Sequence, residues 1–350
     1  MRNTTLLAAL GMLLFISCGG SDDNPEQLPQ RDIYILGRAE SSSTGDFPVI
    51  YRNGEFAGGG FAATPGKRVF PVEITVSEDS SVTVSANRFD GENEPVFATD
   101  NQLFFPDLGG GSSGRLRGHL EHNNTIHAYG NITNQDGDIQ ACYWVHQRLV
   151  LLESNFDYTE ATGMAVVDGS IVVTGYAFVR NVGNIPLYWR DGEVNQLRIG
   201  SSSRGMYTND IEVVGSDIYI LGSGVNDNFE VVIGVWKNDE LTEYLRPEIN
   251  MVAQDLELVE GEVRFDIAHS DPANLVGYYA DGQDVIFESN MQFSFSVTDL
   301  EFSSNGDAFI LGSVVNGAAI PTNRLYVNGE VMEIEFGNNV QVSDLLIVER

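Results

Sequence analysis

The stretch from Asp217 to Leu241, DIYILGSGVNDNFEVVIGVWKNDEL, carries the pattern that decides the fold. An alternating segment ends at Gly222, a polar loop follows, and a second apolar segment ends at Trp236. A two-residue turn then leads into a third segment. Because apolar and polar residues alternate along strands that bury one face, the stretch predicts three consecutive antiparallel strands.

The strand that ends in glycine recurs along the chain. Its last residue falls at positions 37, 86, 130, 175, 222, 267 and 312, with alanine at 86 and isoleucine at 267. Successive separations are 49, 44, 45, 47, 45 and 45 residues. A period of about 40–50 residues with short strands is typical of propeller blades with four strands each.

Each copy has the same flanking elements. A short strand precedes the glycine strand, as at Asn209–Val214, Gln254–Leu258 and Thr298–Phe302. The next strand ends in an aromatic residue, at Tyr51, Phe97, Trp144, Trp189, Trp236, Tyr279 and Tyr326. Two residues later stand pairs suited to type I′ turns, which need positive φ at both central residues: Asn53-Gly54, Asp191-Gly192, Asp281-Gly282 and Asn328-Gly329.

The two ends of the repeat region complement each other. The first glycine strand, Asp32–Gly37, has no preceding short strand, and the last short strand, Val342–Val348, has no following glycine strand. We therefore predict an all-β, seven-bladed β-propeller over residues 31–350, in which the C-terminal strand pairs with the N-terminal strand. An array of β-sandwich domains is disfavoured, because no copy reaches the roughly 100 residues of a sandwich.

Charge narrows the class of partner. The chain has 350 residues, 42% of them hydrophobic, and a formal net charge of −31. This composition indicates a folded protein, and so strong an acidity argues against binding to nucleic acid or to an anionic membrane surface. No sequence feature calls for a cofactor, and we expect a monomer.

The N-terminus has the pattern of an export signal. Arg2 precedes the apolar run Leu6–Ile16, which is too short to span a bilayer and ends in Phe15-Ile16-Ser17-Cys18. This segment resembles a bacterial lipobox, and the following Gly19–Asp23 is similar to the acidic export tag of Bacteroidota surface lipoproteins. The resemblance implies a signal peptide over residues 1–17, acylation of Cys18, and membrane anchoring at the outer membrane or cell surface through a flexible tether over residues 18–30.

The repeats also resemble those of secreted bacterial propellers, without the Gly-His…Trp-Asp pattern of WD40 blades or the paired glycines of kelch blades. This resemblance is specific at the level of the fold and names no activity.

Long loops mark one face of the predicted ring as the binding face. Basic and aromatic residues concentrate there, and arginine presents a fork that suits carboxylate, sulfate or phosphate groups. Local pairing with acidic residues, and packing of loops against blades, explain the same residues equally well. The candidate ligand-binding residues are Arg38, Arg88, Arg180, Arg204, Arg246, Phe89, Phe178 and Tyr207.

Sequence signals for catalysis and metal binding are weak. Asn134–Asp138 lacks the full ligand series of a calcium loop, and His119, Glu121, His122 and His127 do not follow a zinc pattern. The G-x-S-x-G match at Gly110–Gly114 is not followed by a helix pattern, as a nucleophile elbow requires. Cys142 lies in an apolar run and is expected to be a buried hydrophobe. We therefore predict no metal and no catalytic residue.

Two functions remain open at this stage. The first is a lipid-anchored, non-enzymatic binding or scaffold propeller for glycans, other anionic ligands or a partner protein. The second is a glycan-active hydrolase or lyase with its site at the mouth of the central channel. Two carboxylates with perturbed pKa values near an arginine in that channel would favour the enzyme.

Overall fold

The computed structural model describes residues 30–40, 45–59, 67–99, 102–200, 203–246, 253–268, 276–280, 282–288, 294–315, 322–332, 334–337 and 340–350. Within these ranges the chain forms seven four-stranded antiparallel sheets, arranged as the blades of a β-propeller. The predicted signal peptide and nearly all of the tether, including Cys18, lie outside the described residues. None of the described residues belongs to a helix long and apolar enough to cross a membrane.

Each blade runs from an inner strand at the ring centre to a short outer strand. Blade 1 consists of β28 (Val340–Glu349), β1 (Arg31–Ala39), β2 (Phe47–Arg52) and β3 (Glu55–Gly58). Blade 2 consists of β4 (Arg68–Val76), β5 (Val82–Phe89), β6 (Asn93–Thr99) and β7 (Gln102–Phe104). Blade 3 consists of β8 (Ser113–His122), β9 (Thr125–Thr133), β10 (Ile139–Val145) and β11 (Arg148–Leu151).

The remaining blades follow the same order. Blade 4 consists of β12 (Thr159–Val167), β13 (Ser170–Val179), β14 (Gly183–Arg190) and β15 (Glu193–Gln196). Blade 5 consists of β16 (Ser203–Val214), β17 (Asp217–Asn226), β18 (Val231–Lys237) and β19 (Glu240–Arg246). Blade 6 consists of β20 (Leu256–Val259), β21 (Glu262–Ala268), β22 (Val276–Ala280) and β23 (Gln283–Glu288), and blade 7 of β24 (Ser294–Phe302), β25 (Ala308–Val315), β26 (Thr322–Val327) and β27 (Glu330–Met332).

The ring closes as the sequence predicts. Strand β28 pairs with β1 in antiparallel register, from Arg31 opposite Glu349 to Ala39 opposite Val340. The backbone N–H of Arg350 also donates to the carbonyl of Gln30 at 2.9 Å. The first and last described residues therefore complete one blade, and closure pairs the edge of β1 that would otherwise be open.

A bulge in the inner strand explains the glycine at the end of the second strand. In blades 3 and 4 the register shifts just after the residue that faces the glycine. A Cβ atom added at Gly130 or Gly175 would lie 2.0 Å from the carbonyl oxygen of Arg115 or Glu160, respectively. At Gly130 and Gly175 a side chain would collide with the backbone of the bulged strand, so glycine at these two positions allows a close approach of the two backbones.

The strand-ending aromatics form the core between blades. Trp144, Trp189 and Trp236 are fully buried. Their indole N–H groups donate to the carbonyls of Asp107, Glu153 and Arg198, at 2.8, 3.0 and 2.7 Å. Each acceptor lies in the connection that enters the same blade, so the aromatic fixes that connection as well as filling the core. These three tryptophans therefore have a structural role.

The hairpin turns also match their sequence pairs. Asn53 and Gly54 have φ values of 52° and 83°, and Asp191 and Gly192 have 51° and 87°. Both central residues thus occupy the left-handed region that type I′ turns require.

Candidate functional site: the central channel and its mouth

The inner strands surround a central channel whose wall is acidic. Where an inner strand contains a bulge, the residue that follows the unpaired residue of the bulge faces the channel. In blades 1, 2, 5 and 7 this residue is an acid. A cavity of about 290 Å³ inside the channel is lined by carboxyl groups from five inner strands, β4, β16, β20, β24 and β28, counting Asp255 just before β20, with Arg117 and Tyr129 at one side. The lining acids are Glu73, Asp210, Glu212, Asp255, Glu257, Asp299, Glu301 and Asp344.

Several of these carboxylates connect neighbouring blades. Asp344 Oδ2 accepts the N–H of Ile74 at 2.7 Å, and Asp299 Oδ2 accepts the N–H of Leu345 at 2.7 Å. In the same way Asp210 Oδ2 accepts the N–H of Leu256 at 2.9 Å. Each acid thus satisfies a backbone donor on the next inner strand, which gives the ring of acids a structural role at the blade junctions.

Burial changes the ionisation of the channel acids. It raises the pKa of Glu73 and of Glu212 to about 8, and that of Asp210 to about 6. Burial together with repulsion between carboxylates raises the pKa well above the usual range for four more, Asp255, Glu257, Glu301 and Asp344. The neutral form is therefore favoured near pH 7 for each of these acids except Asp210, whose pKa stays below 7.

The channel opens on the long-loop face through a mouth rich in tyrosine. A cavity of about 430 Å³ there shares Arg117, Tyr129, Asp210 and Asp255 with the deeper cavity. Its wall is completed by Thr162, Tyr176, Tyr207, Thr208, Asn209 and Gln254. We call this cavity the tyrosine mouth.

The aromatic rings form a continuous group across blades 4 and 5. The ring centroids of Tyr176 and Tyr207 are 6.0 Å apart, and those of Tyr158 and Tyr176 are 6.5 Å apart. Phe178 meets Tyr158 edge to face at 6.2 Å and is 51% exposed. The group therefore extends from the cavity wall to the outer surface of the long-loop face.

An ion pair holds the rim of the tyrosine mouth. Arg117 Nη2 lies 2.5 Å from Glu160 Oε2, and the Tyr158 hydroxyl donates to Oε1 of the same carboxylate. Burial alone would raise the pKa of Glu160, but the Tyr158 hydrogen bond and the Arg117 charge outweigh it and lower that pKa. Burial raises the pKa of Tyr158, Tyr176 and Tyr207. All three hydroxyls therefore stay protonated and can donate hydrogen bonds.

Two of the predicted arginines form ion pairs with nearby carboxylates. Arg38 is 5% exposed, with Nη2 2.8 Å from Glu40 Oε1 and its guanidinium 4.7 Å from the ring centroid of Phe70. Arg88 is paired with Glu94 and stacks on Phe105. For these two residues the geometry favours the structural alternative, because each guanidinium already has a carboxylate partner.

The structure describes the side chain of only one of the other three predicted arginines, and this residue, Arg180, does not line the tyrosine mouth. Arg180 is exposed just beyond the end of β13. Arg204 and Arg246 lie at the ends of β16 and β19, and their side chains are outside the described residues. Their role in ligand binding stays a prediction.

The predicted aromatics divide into two groups. Phe178 and Tyr207 come together through Tyr158 and Tyr176, although they belong to different blades. Phe89, at the end of β5, is 38% exposed and does not line the tyrosine mouth. Of the tyrosines that line the cavity, the candidates chosen from the sequence include Tyr207 and do not include Tyr129 or Tyr176.

His119 and Cys142 are both buried in the fold. His119 is buried at a blade junction, with Nδ1 3.0 Å from Ser85 Oγ and Nε2 2.9 Å from Thr75 Oγ1. Burial lowers the pKa of His119 to about 3, so its ring is neutral. Cys142 is fully buried, as predicted. Across the described ranges, no three His, Cys, Asp or Glu side chains are placed so that they could hold a metal ion.

Comparison with known proteins supports the propeller fold and does not assign the chain to a family. No family model matches the chain, and no curated protein matches it in sequence. Among solved structures, an ulvan lyase of polysaccharide lyase family PL25 aligns with a TM-score of 0.53 at 10% identity, over 84% of this chain and 89% of that chain. A prolyl endopeptidase aligns with a TM-score of 0.52 at 12% identity, over 90% of this chain and half of the other.

The lectin SapL1, solved with α-methyl fucoside, aligns with a TM-score of 0.39 at 13% identity, over 78% of this chain and 95% of that chain. At these identities the likenesses describe the propeller fold alone. This chain is therefore similar in architecture to propellers that carry different activities.

Proposed function

We propose that this protein is a non-enzymatic glycan-binding propeller whose ligand occupies the tyrosine mouth. The observation that carries the proposal is a cavity of about 430 Å³ lined by Tyr129, Tyr176 and Tyr207 beside polar Thr and Asn side chains. Aromatic faces pack against the apolar faces of sugar rings, and nearby hydroxyl and amide groups satisfy the sugar hydroxyls. The ulvan lyase, whose structure is similar in fold, acts on a polysaccharide.

The ionisation of the mouth supports binding over catalysis by tyrosine. A tyrosine that acts as a base needs a lowered pKa, whereas burial raises the pKa of Tyr158 and Tyr176. Glu160 is fixed by Arg117 and Tyr158. These groups are organised to hold a ligand through neutral donors and one paired carboxylate.

A glycan-active enzyme is the second candidate. It is favoured by channel carboxyls with raised pKa values near Arg117, among them Asp210 with a pKa of about 6. A carboxyl group with such a pKa can serve as a general acid near neutral pH. The ligand screen below therefore includes an assay for released product.

A glycan array tests the proposed site. We expect the purified protein to bind at least one class of oligosaccharide without releasing product. Tyr207→Ala should weaken binding by about 10-fold, because an aromatic contact contributes about 0.5–1.5 kcal/mol beyond the area that it buries and 1.4 kcal/mol corresponds to 10-fold in affinity. Phe56→Ala is the matched control, since Phe56 is exposed on the outer strand of blade 1. Equal losses in both variants would place the ligand elsewhere, and released product would favour the enzyme.

We further propose that the protein acts as a monomer anchored to the outer membrane or cell surface through acylated Cys18. The lipobox-like segment Phe15–Cys18 and the acidic residues after it support this location. Cys18→Ala should shift the protein from the membrane fraction to the soluble fraction in cell fractionation. Continued membrane retention of this variant would contradict anchoring by Cys18. Ser21→Ala, three residues away, should leave the distribution unchanged.

A further inference from the structure

The aromatic surface beside the tyrosine mouth is larger than the cavity itself. Tyr176 and Tyr207 line the cavity, whereas Tyr158 and Phe178 do not. The ring centroid of Tyr158 lies 6.5 Å from that of Tyr176 and 6.2 Å from that of Phe178. We call these four residues the aromatic ledge. Its outer half, Tyr158 and Phe178, continues the wall of the mouth onto the long-loop face.

The outer end of the aromatic ledge is open to solvent. Phe178 is 51% exposed, although phenylalanine is among the residues most often buried. Tyr176 and Phe178 are two residues apart on β13, so their side chains lie on the same face of that strand. An exposed aromatic that is continuous with a cavity wall indicates a contact surface for a ligand larger than the cavity.

Hydrogen bonds hold the outer half of the ledge in place. The N–H of Phe178 donates to the carbonyl of Tyr158 at 3.1 Å, beside the register in which β12 pairs with β13. The Tyr158 hydroxyl donates to Glu160, and Arg117 holds this carboxylate by an ion pair. Rings fixed in this way lose little conformational freedom when a ligand binds. The ledge is therefore organised in advance of binding.

A row of aromatic rings suits a chain of sugar rings. In a β-linked glucose or xylose unit all the hydroxyls are equatorial, so C–H groups cover both faces of the sugar and either face packs on an aromatic ring. The hydroxyls at the sugar edge then meet polar groups, which Asn209 and Gln254 supply in the mouth. Successive units of a β-1,4-linked chain turn opposite faces to one side. Such a chain offers an apolar face to each ring of the ledge in turn.

The charges of the mouth favour a neutral chain. Among the described residues that line it, Arg117 alone is basic, and Glu160 neutralises this arginine. Asp210 lies in the same wall, and its pKa of about 6 leaves it largely ionised at pH 7. An acidic sugar would therefore meet a like charge in the mouth, whereas a neutral sugar leaves the existing ion pair undisturbed.

We propose that the site is an extended one that binds a neutral, linear β-1,4-linked oligosaccharide, with one end of the chain in the tyrosine mouth and the following units on Tyr158 and Phe178. This inference rests on the proposed glycan binding and adds the class and the length of the glycan. It assigns to the binding site two residues that lie outside the cavity.

Calorimetry with a short and a long chain of one chemistry tests the assignment. At pH 7 cellohexaose should bind the purified protein about 10-fold more tightly than cellobiose, because only the longer chain reaches the outer half of the ledge. Phe178→Ala should remove most of this difference: it weakens cellohexaose by about 5- to 10-fold, as expected for one aromatic contact, and leaves cellobiose within about two-fold. Phe56→Ala, at an exposed site on the outer strand of blade 1, is the matched control and should change neither affinity.

The outcomes separate the inference from the proposed function. Equal affinity for the two chains overturns the extended site, as does a Phe178→Ala variant that weakens both chains equally or neither of them. Tighter binding of a hexamer of galacturonic acid than of cellohexaose overturns the neutral class. In each of these cases glycan binding in the mouth stands. If no oligosaccharide binds, both proposals fail. A thermal melt of Phe178→Ala checks folding, and we expect a change of only a few degrees because the side chain is half exposed.

Discussion

Removal of residues 340–350 is expected to abolish the folded propeller. The deletion takes away β28, the inner strand of blade 1, together with the backbone pairing to β1. It also removes six apolar side chains from the cores that flank blade 1, those of Val340, Val342, Leu345, Leu346, Ile347 and Val348. Burial of one such side chain contributes about 1.5–3 kcal/mol, and an entire domain is stable by only about 5–15 kcal/mol. We therefore expect no cooperative melting transition by circular dichroism.

A circular permutant is the control for this deletion. Gln30 and Arg350 are adjacent in the closed ring, so a short linker can join them while new termini open between residues 200 and 203. The permutant keeps every strand, and we expect its melting temperature to stay within a few degrees of that of the parent protein. A truncated protein that melts like the parent would show that β28 does not close the ring.

Stability is expected to fall as pH rises from about 5 to about 8. Burial raises the pKa of Glu73 and Glu212 to about 8 and that of Asp266 to about 7. In the unfolded chain these groups lose their protons near pH 4. Between the two values the folded protein holds more protons than the unfolded chain, so the free energy of unfolding decreases with increasing pH. We expect the melting temperature to drop by roughly 10 °C over this range.

Glu212→Gln isolates the contribution of one channel acid. The amide keeps the shape of a protonated carboxyl group and cannot ionise. Since Glu212 keeps some accessible surface and solvent partly screens its charge, we expect a gain of about 1–2 kcal/mol at pH 8 and a much smaller gain at pH 5, which lies just above the pKa of the unfolded chain. Glu193→Gln, at an exposed site on an outer strand, should have no effect at either pH. A melting temperature that rises from pH 5 to pH 8 would mean that the channel carboxyls are not buried in neutral form.

The fold could be predicted because its signals are local. The glycine that faces the inner-strand bulge, the aromatic that closes the third strand and the turn pairs each lie within one repeat. Blade 6 is the most degenerate copy, with Ile267 in place of the glycine, and the structure still forms four strands there. Packing against the neighbouring blades compensates for the weak sequence pattern of blade 6.

The site could not be predicted in the same way, because its members are distant in sequence. Asp210 and Asp255 lie 45 residues apart and line one cavity. Their strands were recognised, but alternation alone does not show which face of an inner strand meets the channel. The signal was present in the acid that recurs at one position in Asn209–Val214, Gln254–Leu258 and Thr298–Phe302. A polar residue repeated on the innermost strand of a propeller indicates a channel wall.

A crystal structure of the protein with its best oligosaccharide from the array tests the central claim most directly. We expect a sugar ring in the tyrosine mouth, packed on Tyr176 and Tyr207 and within hydrogen-bond distance of Thr208 or Asn209. Density for the sugar beside Arg38, beside Arg88 or on the outer strands, with the mouth filled only by water, would contradict it.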